Sequence, residues 1–168
     1  MKAKHLGEYK SVNAFVRHKL EAFRDSDRTM GALFGFMYSE GENIMIERTD
    51  GYTIERRTYA QCKQQAIDLS ERLHALLADA QPNAIVGLCM DNSAEWIALF
   101  WAILRCGFRP LLMNTRLDDA TLDEILITYG VVCVLSDGRR FAAQTVLLSE
   151  LEPLPARRSS PRLQTRCF

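Results

Sequence analysis

Neither glycine-rich phosphate loop, G-x-G-x-x-G or G-x-x-x-x-G-K-[ST], occurs anywhere in the 168 residues. A doubly wound sheet that binds a nucleotide normally carries such a loop after its first strand. Here the matching junction is Asp91-Asn92-Ser93, which has no glycine to let a phosphate approach the backbone. It still offers a helix N-terminus to an anion, although plain capping is the simpler reading.

Other absences narrow the chemistry. The three histidines, His5, His18 and His74, are far apart, and no H-x-x-x-H spacing suggests zinc. No G-x-S-x-G suggests a nucleophile elbow. The five cysteines (Cys62, Cys89, Cys106, Cys133, Cys167) include no C-x-x-C pair. They indicate neither a disulfide framework nor a metal site. Four sit in apolar segments and read as small buried hydrophobes in a reducing, cytoplasmic setting. The longest apolar run, Trp96 to Leu104, is 9 residues, against the roughly 20 that span a bilayer. The charged start, Met1 to Lys10, does not read as a secretory leader. Lys plus Arg equals Asp plus Glu at 21 each, so charge gives no reason to expect nucleic acid as a partner.

What is present is an ordered series of local signals. Ser11 opens an amphipathic helix carrying Val12, Phe15, Val16, Leu20 and Phe23. A second apolar stretch, Met30 to Met37, contains Gly31 and Gly35, which weaken a helix unless they serve a close contact. Asn43 to Arg48 and Tyr52 to Arg57 alternate about Thr49-Asp50-Gly51, which predicts a surface β-hairpin. Thr58 and Gln61 form a capping box for a long helix with a Cys62, Ala66, Leu69, Leu73, Leu76, Ala80 stripe, ended by Pro82 and Asn83.

Ala84 to Met90 then predicts a buried strand. Asn92, with Glu95 three residues on, is the candidate cap of a helix from Ser93 to Cys106. That helix is apolar on nearly every side, with Gly107 as its stop. Phe108 to Met113 is a second strand. Asp118 caps a helix ending at Gly130, Val131 to Leu135 is a third strand, and Thr145 to Leu148 is a fourth. The alternation predicts an α/β fold with a mainly parallel sheet, preceded by helices and a hairpin. The chain divides into a helical segment, 1–42, an α/β region, 43–152, and a basic tail, 153–168. The tail has four arginines, three prolines and no acid. It reads as a disordered end, with binding of an acidic partner as the lesser alternative, and its composition also fits a shifted frame after about Leu154.

No candidate catalytic, cofactor-binding or metal-binding residue emerges. Asp118 is accounted for by capping, and Asp123 and Glu124 by a solvated helix face. Trp96 and Trp101 would make an aromatic wall, but they lie about 140° apart on a helical wheel, so they face different ways.

From Thr58 to Asp137 the sequence resembles the N-terminal region of the adenylate-forming (AMP-dependent) synthetase and ligase family, which includes acyl-CoA synthetases. Thr58-Tyr59-Ala60-Gln61 is similar to its "T-Y-x-x" helix start, and Asn92-Ser93-Ala94-Glu95-Trp96 to its "N-S-x-E-W" helix. Ala102 to Gly107 follows its "A-x-L-x-x-G" pattern, and Leu112-Met113-Asn114 its "P-L-N"-like strand end. Leu117 to Leu126 and Val131 to Asp137 complete the order. Departures include Phe108 and Thr115, where relatives often have alanine and proline, and Pro82-Asn83-Ala84-Ile85 in place of "G-D-x-V".

The resemblance implies a partial N-terminal domain of a larger fold. A full-length relative would use ATP and Mg²⁺ to activate a carboxylate, then pass the acyl group to a thiol such as coenzyme A. The family's phosphate loop and catalytic Lys have no matching positions here. The expectation is therefore an N-terminal part that is inactive alone, with self-association or a missing C-terminal part as its partner. The alternative is a stand-alone α/β interaction module working with a separate chain. Helix Ser93 to Cys106 discriminates between them: a complete domain covers it, whereas a fragment leaves part of it open.

Overall fold

The computed structural model describes residues 10–151. The tail from Pro153, with the disorder and shifted frame expected for it, lies outside the described residues, as do His5 and Cys167.

Two helices lead. Helix α1 (Val12–Arg24) is capped by Ser11, whose Oγ accepts from the Ala14 N–H, and α2 (Met30–Met37) is capped by Thr29. Phe23 of α1 meets Phe36 of α2 edge to face, with 5.6 Å between ring centroids. The glycines of α2 serve no close contact. A Cβ on Gly35 would meet nothing within 4 Å, so the weakened-helix reading holds there. The outer stripe of α1, Val12, Val16 and Leu20, is exposed.

Strands β1 (Ile44–Thr49) and β2 (Ile54–Thr58) form the expected antiparallel hairpin. Asp50 fixes its turn, its Oδ1 accepting from the Tyr52 and Thr53 N–H groups at 2.9 and 2.7 Å. Helix α3 (Tyr59–Leu76) begins with the full capping box. The Thr58 N–H donates to Gln61 Oε1 at 2.9 Å, and the Gln61 N–H donates to Thr58 Oγ1 at 3.2 Å. The helix ends six residues before Pro82, however. Leu77, not Leu76, continues the buried stripe, lying four residues on from Leu73, while Leu76 stays exposed. The chain then turns through Asn83, at a left-handed φ of 63°, to enter the sheet.

The sheet contains β3 (Ile85–Cys89), β4 (Arg109–Leu112), β5 (Cys133–Ser136) and β6 (Thr145–Leu147) in the order β4-β3-β5-β6, parallel throughout. Helix α4 (Ala94–Arg105) connects β3 to β4, α5 (Asp119–Tyr129) connects β4 to β5, and a short α6 (Leu148–Leu151) follows β6. Gly107 and Gly130 stop the two crossover helices at φ values of 76° and 60°, a region that a side chain disfavours.

The central strands β3 and β5 are buried almost throughout, as their unbroken apolar runs require. Gly87 of β3 lets the layers close, because a Cβ there would stand 3.0 Å from Met113 Sδ and 3.3 Å from Val134 Cγ2. Pro110 sits in edge strand β4. The N–H groups of Arg109 and Met113 bond inward to β3, so alternate positions such as Pro110 face away from it and no ladder bond is lost.

The two faces of the sheet have separate cores. Leu69 and Leu73 of α3 and Leu99, Ala102 and Ile103 of α4 pack with Val86, Leu88 and Leu135 on one side. Leu122 and Leu126 of α5 pack with Cys89, Met113 and Val134 on the other. No large apolar residue of α4 is exposed. The open helix expected of a fragment is thus not seen, since α2 and α3 lie over it. Trp101 is buried and meets Phe34 of α2 at 5.3 Å.

Candidate functional site

Because α4 and α5 lie on opposite faces, the chain leaves β3 one way to reach β4 and returns past it to reach β5. That reversal opens a crevice at the carboxyl ends of the strands, the position where open α/β sheets take ligands. A depression of about 980 Å³ lies there. Asp91, Asn92 and Ser93 line it after β3, and Asp137 lines it after β5. Trp96 and Ile97 of α4, Leu148 of α6, and Ile46 and Arg48 of the hairpin complete its walls.

Each wall is fixed locally. Ser93, not Asn92, caps α4, its Oγ accepting from the Trp96 N–H at 3.0 Å. Ser93 adopts the extended cap backbone, with φ at −152°, which leaves Asn92 one position too early to reach that N–H. The ring of Trp96 stacks on Phe100, centroids 5.7 Å apart and 2° from parallel. Trp96 therefore stands at the rim while Trp101 faces the core, as the wheel angle requires.

The hairpin is tied to the crevice by Arg57. Its Nη1 pairs with Glu95 Oε1 at 2.7 Å, its Nε with Glu55 at 2.8 Å, and Nη1 also donates to Gln65. Burial pushes the Glu95 carboxyl upward, but its own backbone N–H and Arg57 outweigh this and hold it below the usual range. Arg57 feels the opposite balance. Burial opposes its charge, but the two glutamates outweigh this and raise its pKa.

The depression offers an apolar wall, one hairpin cation in Arg48, and carboxylates at Asp91, Glu95 and Asp137, with Glu95 already paired to Arg57. With three carboxylates and one hairpin cation in its lining, it is a poor match for a triphosphate. Among the described residues lining it, no nucleophile is paired with a base. His18 and His74 are exposed on α1 and α3, away from the crevice lining. Cys62, Cys89 and Cys133 are buried, and burial pushes each thiol up, Cys133 to about 11. Cys106 is only half-buried, and its Sγ donates to the Ser70 carbonyl. Among the described residues no three His, Cys, Asp or Glu side chains gather as metal ligands. No helix among them is long and apolar enough to cross a membrane.

A sequence profile of the family described as "AMP-binding enzyme" matches residues 40–166. This chain belongs to that family. The match takes in the hairpin and the whole parallel sheet, and it runs through the arginine-rich segment; α1 and α2 lie outside it. In this chain, 83 residues are 32% identical to the PKS-NRPS hybrid synthetase psoA of Aspergillus fumigatus, covering 49% of this chain and 2% of that protein. Among solved structures, the chain is similar to the O-succinylbenzoate coenzyme A synthetase MenE of Bacillus subtilis in complex with AMP. The identity is 20% and the TM-score 0.60, over 70% of this chain and 32% of that one. It is also similar to the NpsA N-terminal subdomain of Klebsiella oxytoca in complex with 3-hydroxybenzoyl-AMSN, at 19% identity and TM-score 0.52, over 58% and 25%. At those identities the structures establish the fold alone. The chain spans about a fifth to a third of the solved chains it matches.

Proposed function

We propose that this AMP-binding chain supplies the N-terminal part of an ATP-dependent carboxylate-activating ligase of the acyl-CoA synthetase type. The match over residues 40–166 carries the reading. In the assembled enzyme, a carboxylate attacks the α-phosphate of Mg²⁺-bound ATP, pyrophosphate leaves, and the acyl group then passes from AMP to the sulfur of coenzyme A. ATP and coenzyme A suit a cytoplasmic location. The residues around the crevice are not suited to bind the triphosphate, so we assign no step of the reaction to them. The isolated 168-residue chain is inactive in this reading, because the family's phosphate loop and catalytic Lys have no matching positions in it. Its exposed Val12, Val16 and Leu20 stripe favours self-association or contact with the remainder of the enzyme.

The test is ATP–pyrophosphate exchange over a panel of carboxylates, with the chain alone and with the remainder of a relative supplied in trans. Exchange only in the second case, followed by thioester formation with coenzyme A, supports the proposal. Exchange by the chain alone refutes the inactivity. Acyl transfer to a carrier-protein thiol but not to coenzyme A places the enzyme instead with peptide synthetases such as the psoA relative. One observation favours the stand-alone module as a second reading: α4 is covered rather than open. Pull-down of a specific partner, with no exchange in either arrangement, would select it.

A further inference from the structure

Three loops meet at the carboxyl end of the sheet, and polar contacts tie each to the next. Thr115, in the loop after β4, donates its hydroxyl to Asp91 Oδ1 after β3 at 2.8 Å. Arg139, in the loop after β5, donates from Nη1 to the Thr115 carbonyl at 3.2 Å and from Nη2 to the Leu117 carbonyl at 2.9 Å. Its Nε reaches Asp119 Oδ1, at the start of α5, at 2.7 Å. The Arg139 N–H is held in turn by the Ser136 hydroxyl at 3.0 Å, and Ser136 is fully buried at the end of β5. The guanidinium also lies over the Phe141 ring, 5.6 Å from its centroid.

A guanidinium presents five donors in one rigid plane, which suits it to bind several fixed acceptors at once. Here those acceptors are two backbone carbonyls and a carboxylate of the same protein. This geometry fixes loops; it leaves no open fork for a ligand. Thr115 extends the brace across β3. Without its hydroxyl, the segment between β3 and α4 would be restrained mainly by the Ser93 cap.

We propose that Thr115 and Arg139 are positioning residues that lock the Asp91–Ser93 rim of the crevice in one arrangement before anything binds. The inference rests on reading the crevice as the ligand-facing side of this AMP-binding chain. Hydrogen–deuterium exchange on the full chain tests it without any need for activity. Thr115→Val removes the donor and keeps the β-branched shape. It should speed exchange at the Trp96 and Ile97 N–H groups, which the Ser93 hydroxyl and carbonyl hold, about threefold to tenfold, the range expected for one lost hydrogen bond. The urea midpoint should fall by no more than that one bond accounts for. Thr115→Ser should restore slow exchange at Trp96 and Ile97, and Arg139→Lys should speed exchange both there and at Arg116 and Leu117. Unchanged rim exchange in Thr115→Val overturns the proposal, as does failure of the serine rescue. Pyrophosphate exchange by the assembled enzyme is read separately. A locked rim without that activity sinks the ligase reading alone.

Discussion

Arg57 of β2 and Glu95 of α4 are joined at 2.7 Å across the seam between the hairpin and the sheet, with side chains only 29% and 18% exposed. Breaking the pair should therefore cost more than a surface ion pair does. Arg57→Ala is expected to destabilise by about 1–2 kcal/mol, between the exposed and buried limits. The sign of the pH dependence follows from the carboxyl lying below its unfolded value of about 4.3. Its contribution is fully present above that value and is lost as the pH falls through the lower folded one. Urea midpoints from pH 7 down to pH 3 should fall more steeply in the wild type than in Glu95→Gln. Parallel curves would show that the pair contributes nothing.

Tyr38 is 3% exposed, and its hydroxyl has no hydrogen-bond partner among the described residues. Burial, with smaller effects from Cys62 and Tyr59, pushes its pKa up to about 12. Removing an unpartnered buried hydroxyl removes a desolvation cost, so Tyr38→Phe should be neutral or stabilising by up to about 1 kcal/mol. Urea unfolding decides, and a loss above about 1 kcal/mol would mean that the hydroxyl is bonded after all.

Gly87 faces Met113 and Val134 at distances that leave no room for a methyl group. Gly87→Ala should destabilise by about 1–3 kcal/mol through overpacking. Met113→Ala is expected to offset part of that loss, so the double variant should be less unstable than the sum of the singles. Additive losses would place the strain elsewhere.

The cap of α4 can be located by two substitutions. Ser93→Ala should cost about 1 kcal/mol and Asn92→Ala close to nothing. Thermal melts of the pair separate the two assignments, and the reverse order would return the cap to Asn92.

The elements were legible wherever chemistry is local. Ser11, Thr58 and Asp118 each cap the helix they were expected to cap, and Gly107 and Gly130 stop theirs. The apolar runs at 84–90 and 131–135 contain parallel strands, because burial on both faces leaves no alternation. The misplacements come from longer-range effects. Leu76 and Leu77 are equally apolar, and only docking onto the core decides which one turns inward. Asn92 and Ser93 are both competent caps, and the entry angle from β3 selects the second. The crevice was only partly visible. Asp91-Asn92-Ser93 stood out as a junction, but Asp137 and Arg48 reach it through topology and the hairpin. The Arg139 brace joins segments about 20 residues apart with no motif to announce it.

The strand order β4-β3-β5-β6 also sets a schedule of assembly. Strand β3 is made first and becomes central. β4 adds to one side of it, β5 to the other, and β6 to β5. Each strand thus emerges during synthesis with its neighbour already made, as β2 does with β1. The sheet can grow outward as the chain is extended, and only the edge of β3 that receives β5 stays open while β4 and α5 are made.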